Sequence, residues 1–228
     1  MLKPTRLTDP TESARRSDSG ESSTRGEAQA PGVVAALRAA TTERHELLHE
    51  IMPLSVESVA LSDYLAHVAV LREWLVPLEA WLAEAGDGPQ SPALPPRIDR
   101  VALIDADLDD PSIPPQERIA GRPTARAWHG AESAAYRWGV CYVIEGSQLG
   151  GAVLYARLHE RLAPHPLRFL AAGRESLGPR WRAFTQAMTA EVQSGSDVDD
   201  ACRGAADAFD RLIEVAQRPT RAACTSVD

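Results

Sequence analysis

Tyr142-Val143-Ile144-Glu145-Gly146-Ser147-Gln148-Leu149-Gly150-Gly151-Ala152-Val153-Leu154-Tyr155 is a helix-like stretch thinned by three glycines. The flanking sequence from Trp138 to Leu162 is apolar and helix-compatible, yet each glycine costs a helix interior about 1 kcal/mol relative to alanine. Gly146 and Gly150 are four apart and share a face, where the missing side chains let a flat partner reach the backbone. That partner is either a second helix, meeting a GxxxG surface, or a planar ligand. A helix of this length is expected to bend at its glycines.

Outward from this stretch the pattern stays helical. From Pro31, Val34, Leu37, Thr41, His45 and Leu48 recur at spacings of three and four, the stripe of an amphipathic helix. A second helix is expected from an N-cap at Ser62 through Leu82, with Pro77 inside it and a stop at Gly86-Asp87-Gly88-Pro89. Shorter helices follow at Ile98 to Leu108, Gln116 to Ala120 and Leu167 to Ala172, separated by proline-rich connections. The glycine helix spans Trp128 to Leu162, and Pro179 to Val192 and Val198 to Gln217 complete the set. No period-two alternation occurs, so the fold class is all-α in a single domain, over residues 31 to 218. Residues 1 to 30 are too polar to offset the entropy of ordering and are expected to be a disordered arm, with a flexible tail from 219.

The net charge of −8 disfavours nonspecific nucleic-acid binding, and Lys3 is the only lysine, so an internal anion must be met by Arg, His or backbone N–H groups. Cys141, Cys202 and Cys224 lack the number and spacing of a disulfide framework or zinc site, which fits a reducing cytoplasm. No signal-peptide pattern and no apolar run long enough to span a bilayer is present, so a cytoplasmic, membrane-free protein is expected.

His45 is placed by periodicity on the buried face of the first helix. Arg38 lies seven residues earlier, two turns away on nearly the same face and roughly 10 Å along the axis. A metal centre and an anion would suit such a pair. The plain alternatives are a hydrogen-bonded core histidine and an exposed cation; His49, one turn on, competes as ligand. Glu46 and His49 also form an ExxH pair that, joined by His129 and Glu132, would suit a di-iron centre. Tyr142, Trp138 and Cys141 read as core residues, and Glu145 and Ser147 as solvated flanks, unless a ligand claims them.

Ala40-Thr41-Thr42-Glu43-Arg44-His45, Pro77-Leu78-Glu79 and above all Glu145-Gly146-Ser147-Gln148-Leu149-Gly150-Gly151 resemble the biliverdin-producing heme oxygenases, most closely the branch associated with bacterial phytochromes. The resemblance covers about residues 32 to 217. It implies a helical fold holding heme between a proximal helix, which supplies one histidine, and a kinked, glycine-rich distal helix. It also implies conversion of heme, as substrate and cofactor, to biliverdin, carbon monoxide and ferrous iron. Dioxygen and electrons from an external reductase or ferredoxin drive that reaction, and a bacterial phytochrome is the implied acceptor of biliverdin.

Carried across residue by residue, the resemblance makes His45 the axial ligand of the heme iron and sets Arg38 against a propionate. Gly146, Gly150 and Gly151 become the bare backbone beneath the heme edge, and Tyr142 joins the heme-contacting set. Gly146, Ser147 and Gly150 form the catalytic face. Gly139 to Leu154 contains no His, Arg or Lys, so no acid-base pair of the peroxidase type stands there. Ser147 occupies a position where many members of the family carry an aspartate, and serine can still hydrogen-bond water. In the penultimate helix Arg180 and Arg182 lie near a position where some members use basic residues, with Thr185 the nearest aligned. A non-catalytic heme-binding or regulatory protein on the same fold is the other reading of these substitutions.

Overall fold

The structure is a computed structural model describing residues 32–92, 94–119 and 125–218. The expected arm (1 to 30), the tail from 219 and Cys224 lie outside these. Among the described residues every regular element is helical: α1 (Val33–Ile51), α2 (Leu61–Leu82), α3 (Arg100–Leu108), α4 (Ala134–Leu158), the single turn α5 (Arg168–Ala171), α6 (Leu177–Glu191) and α7 (Gly195–Ala216). Short 3-10 turns occur between them, one at Pro115–Glu117 where a turn was expected. The all-α reading therefore holds.

Local chemistry corrects several boundaries. α2 begins at Leu61 with Ala60, not Ser62, as its N-cap residue; the Asp63 carboxylate accepts from the Ala60 backbone N–H at 2.8 Å, which is half of a capping box. α4 begins after Ser133, whose hydroxyl accepts from the Tyr136 N–H. The stretch before it is an irregular segment carrying Trp128, His129 and Glu132. α7 starts three residues earlier than its apolar pattern, because Ser194 caps it. Pro77 sits inside α2, and α4 is α-helical without interruption from Ala134 to Leu158.

α7 is the floor on which the site is built, for both α4 and α1 pack along it. The α4 crossing is made by glycine. A Cβ added at Gly139 would lie 1.8 Å from the Ala201 carbonyl oxygen, and one at Gly204 would lie 2.2 Å from that of Tyr136. No side chain fits there, so two bare backbones set the closest approach in the bundle core. Tyr136 then donates to Asp207, and Ser133 to Asp200, fixing the register of the two helices. Trp74 of α2, fully buried, donates to the Ala208 carbonyl from the other side.

A second anchor is the buried Asp107 at the end of α3. Its carboxylate accepts from the Tyr64 hydroxyl at 2.5 Å and from the backbone N–H groups of Arg168 and Phe169, joining α2, α3 and α5.

Candidate functional site

The buried arc of α1 consists of Val33, Leu37, Thr41 and Leu48. His45, expected within it, is exposed. The physical reason is angular: at about 100° per residue, Leu37, Thr41 and Leu48 cluster within roughly 40°, whereas His45 lies some 40° beyond Thr41 on the shoulder of the arc. Arg38 shares that shoulder, within roughly 20° of His45 by the same count, and is also exposed. The His45 ring stands edge-on to Phe209 of α7, with centroids 6.4 Å apart. His49 and Glu46 are exposed as well.

The shoulder of α1 faces α4 at Arg38, whose guanidinium lies beside the Tyr142 phenol. Burial pushes the Tyr142 phenol above its ordinary pKa, and Arg38 acts in the opposite direction. Tyr142 is half-buried and packs on Trp181 of α6, with ring centroids 5.5 Å apart. Trp181 in turn covers Gly146, whose added Cβ would meet the indole at 3.7 Å, an ordinary van der Waals distance. Arg38, Tyr142, Trp181 and Gly146 thus form one continuous wall contributed by three helices.

Beyond that wall the glycine face is open. A Cβ at Gly150 would meet nothing within 4 Å, and one at Gly151 would touch only Leu170 at 3.6 Å. On the same side of α4, Leu149 is exposed and Val153 is 70% exposed, so the surface is apolar as well as bare. The helix-helix reading of Gly146 and Gly150 is therefore corrected: no helix backbone lies against either, and the close crossing is at Gly139 and Gly204.

The polar residues of the motif point elsewhere. Ser147 is exposed, and its hydroxyl donates to the Ile144 carbonyl of its own helix at 2.8 Å. Glu145 is not a solvated flank. Its carboxylate takes two hydrogen bonds from Arg180, at 2.8 and 2.9 Å, and lies 2.9 Å from the fully buried Arg100. Burial alone would raise the Glu145 carboxyl, but Arg180 and Arg100 outweigh it and hold it below the usual carboxylate range. Arg180 also donates to the Pro96 carbonyl, so it is engaged away from the glycine face. Thr185 donates to the Trp181 carbonyl, and Arg182 is exposed. Trp138 and Cys141 are core residues as expected; burial pushes the Cys141 thiol up to about 12.

Sequence reading missed two participants. Trp181 is one of two aromatics in α6, with Phe184, and only packing shows that it fills the space over Gly146. Arg100 follows the Asp99 cap of α3, where a solvated arginine is the ordinary expectation, and its partner Glu145 is remote in sequence. The di-iron reading is not supported by the geometry: among the described residues no group of three or more His, Cys, Asp or Glu side chains is placed to hold a metal ion. No described helix is long and apolar enough to cross a membrane.

Comparison with known proteins agrees with this fold. The family model described as heme oxygenase matches residues 32–218. A protein named heme oxygenase from Xanthomonas campestris pv. campestris (strain 8004) is 36% identical over 102 residues, covering 43% of this chain and 61% of that protein. The chain thus spans less than two thirds of that relative's length. An NO- and CO-bound heme oxygenase from Neisseria meningitidis shares the fold with a TM-score of 0.57 at 22% identity, over 85% of this chain and 96% of that one.

Proposed function

The chain belongs to the heme oxygenase family, and from that premise we propose that it cleaves heme, with dioxygen and electrons from an external reductase or ferredoxin, to biliverdin, carbon monoxide and ferrous iron. The observation that carries this reading is the open, apolar glycine face of α4, joined through Tyr142 to Arg38 on the shoulder of α1 that also bears His45. A flat apolar ligand with anionic edges fits such a surface: bare backbone at Gly150, a cation at Arg38 and an accessible imidazole at His45.

In this reading His45 would hold the heme iron through a ring nitrogen, and its exposed position leaves the imidazole accessible for that role. Arg38 and Tyr142, already paired, receive a propionate. Gly146, Gly150 and Gly151 let the macrocycle approach the α4 backbone, while Trp181 limits how far it can slide toward the start of the helix. Ser147 has committed its proton to the Ile144 carbonyl, so its oxygen accepts a hydrogen bond from an ordered water. The face offers no His, Arg or Lys to act as a distal acid-base pair, which favours attack on the ring over peroxidase chemistry. When bound, the heme itself supplies oxygen activation. The form of the Glu145 to Gly151 motif supports a bacterial phytochrome as acceptor of the product, and free Cys141 and Cys202 suit a reducing cytoplasm.

The test is a single turnover. Reducing the hemin complex under oxygen is expected to replace heme absorbance with that of biliverdin. A heme complex that persists without biliverdin contradicts the catalytic reading. That result would favour a non-catalytic heme-binding protein, the reading to which the inward-turned Ser147 hydroxyl lends weight.

A further inference from the structure

A small cleft of about 30 Å³ lies between α3, α4 and α6, lined by Arg97, Arg100, Arg180, Glu145, Cys141 and Phe184 among others. It is separate from the glycine face: at about 100° per residue, Cys141 and Ile144 project from the side of α4 away from Gly150. We propose that this cleft binds one small monovalent anion of halide size, with Arg100 as its principal ligand and Arg97 and Arg180 closing it.

The first ground is unmet hydrogen bonding. Arg100 is 1% exposed. Glu145 lies 2.9 Å from Nη2 as an ion-pair partner and also accepts from Arg180, which leaves the buried Nε and Nη1 with no acceptor. A guanidinium offers five N–H donors, and leaving a charged donor buried without an acceptor is among the costliest local arrangements a fold can hold.

Charge supplies the second ground. Arg97, Arg100 and Arg180 gather around the cleft, opposed by Glu145 and by Asp99 at the α3 cap. Glu79, behind them, has a carboxyl pushed up by burial against the pull of Arg100 and Arg97, and its Oε1 has no donor. The Cys141 thiol is neutral. Among the residues lining the cleft three arginines face the carboxylate of Glu145, and a monovalent anion offsets that excess of positive charge. Arg97 Nη1 is held by Gln90 Oε1 at 2.6 Å, and Arg180, paired with Glu145 through Nε and Nη2, places Nη1 on the Pro96 carbonyl at 2.7 Å. A cleft of this volume admits a halide but neither a phosphate ester nor a porphyrin. Because Glu145 precedes Gly146, the bound anion would brace the helix that carries the glycine face.

Bromide is the probe. In bromide-soaked crystals of the full chain, an anomalous peak is expected within hydrogen-bonding distance of the Arg100 guanidinium. Replacing gluconate by bromide at constant ionic strength should raise the thermal midpoint saturably. Arg100→Met should abolish both effects. Should that variant fail to fold, Arg97→Gln, at an exposed position, should keep the fold and weaken bromide binding roughly tenfold. A non-anomalous peak bridging Arg100 and Glu79, with no bromide-dependent midpoint, would show water there and overturn the proposal. Bromide found only at the surface, or a bromide response unchanged in Arg97→Gln, would reduce it to an adventitious ion only.

Discussion

The two halves of α4 use glycine for opposite ends. In the first half Gly139 is pressed into the backbone of α7, and the missing side chain is filled by another helix. In the second half Gly150 faces open space and Gly146 only the edge of Trp181. The first glycine is required by the fold. The second lowers helix stability with no contact to offset it, and a residue kept where it costs stability marks a surface shaped for something other than the fold.

Substitution separates the halves. Gly139→Ala drives a methyl into the Ala201 carbonyl and should cost more than about 4 kcal/mol or prevent folding, as read by circular dichroism and thermal melts. A stable, native-like Gly139→Ala protein would break the comparison. Next in size is Glu145→Gln, which leaves Arg100 and Arg180 without their counter-charge and should cost about 3–4 kcal/mol in denaturant titrations.

Histidines sharpen the same contrast between packed and open regions. His67 of α2 is buried, and burial lowers its pKa from 6.5 to about 4. A depressed folded pKa means the stability is present above the unfolded value and is lost as pH falls. Unfolding free energy should therefore drop by roughly 3 kcal/mol between pH 6.5 and 4, and His67→Phe should flatten that slope relative to the wild type. The smallest effect has the opposite sign. Gly150→Ala meets open space and should stabilise the helix by about 0.5–1 kcal/mol. Gly150→Leu should keep the fold while weakening hemin binding; unchanged hemin affinity in Gly150→Leu would remove the glycine face from the site.

Much of this was legible in the chain. The periodicity of Leu37, Thr41 and Leu48 gave α1, and the glycine spacing gave a bare face, though not whether a helix or a planar ligand meets it. What pattern could not supply was which edge of a stripe is buried: His45 lies one helical turn from Thr41, yet the rotation of about 40° that accompanies that turn takes it from the buried arc to the exposed shoulder. Nor could it show that Gly139 and Gly204 mark one helix crossing, because the two lie on separate helices and neither belongs to a motif. The Glu145 ion pairs with Arg100 and Arg180 were hidden for the same reason. Capping was readable in principle, since Ser133 and Ser194 are ordinary N-caps, but the apolar pattern drew the boundaries elsewhere.

The most direct test of the account is hemin titration of the wild type and His45→Ala, followed at the Soret band. Because His45 is exposed, the variant should melt within about 0.5 kcal/mol of the wild type. It should lose the histidine-ligated spectrum and regain it when imidazole is added. An unchanged Soret band in His45→Ala, or its loss in His49→Ala instead, would contradict the claim that this shoulder of α1 presents the heme ligand to the open face of α4.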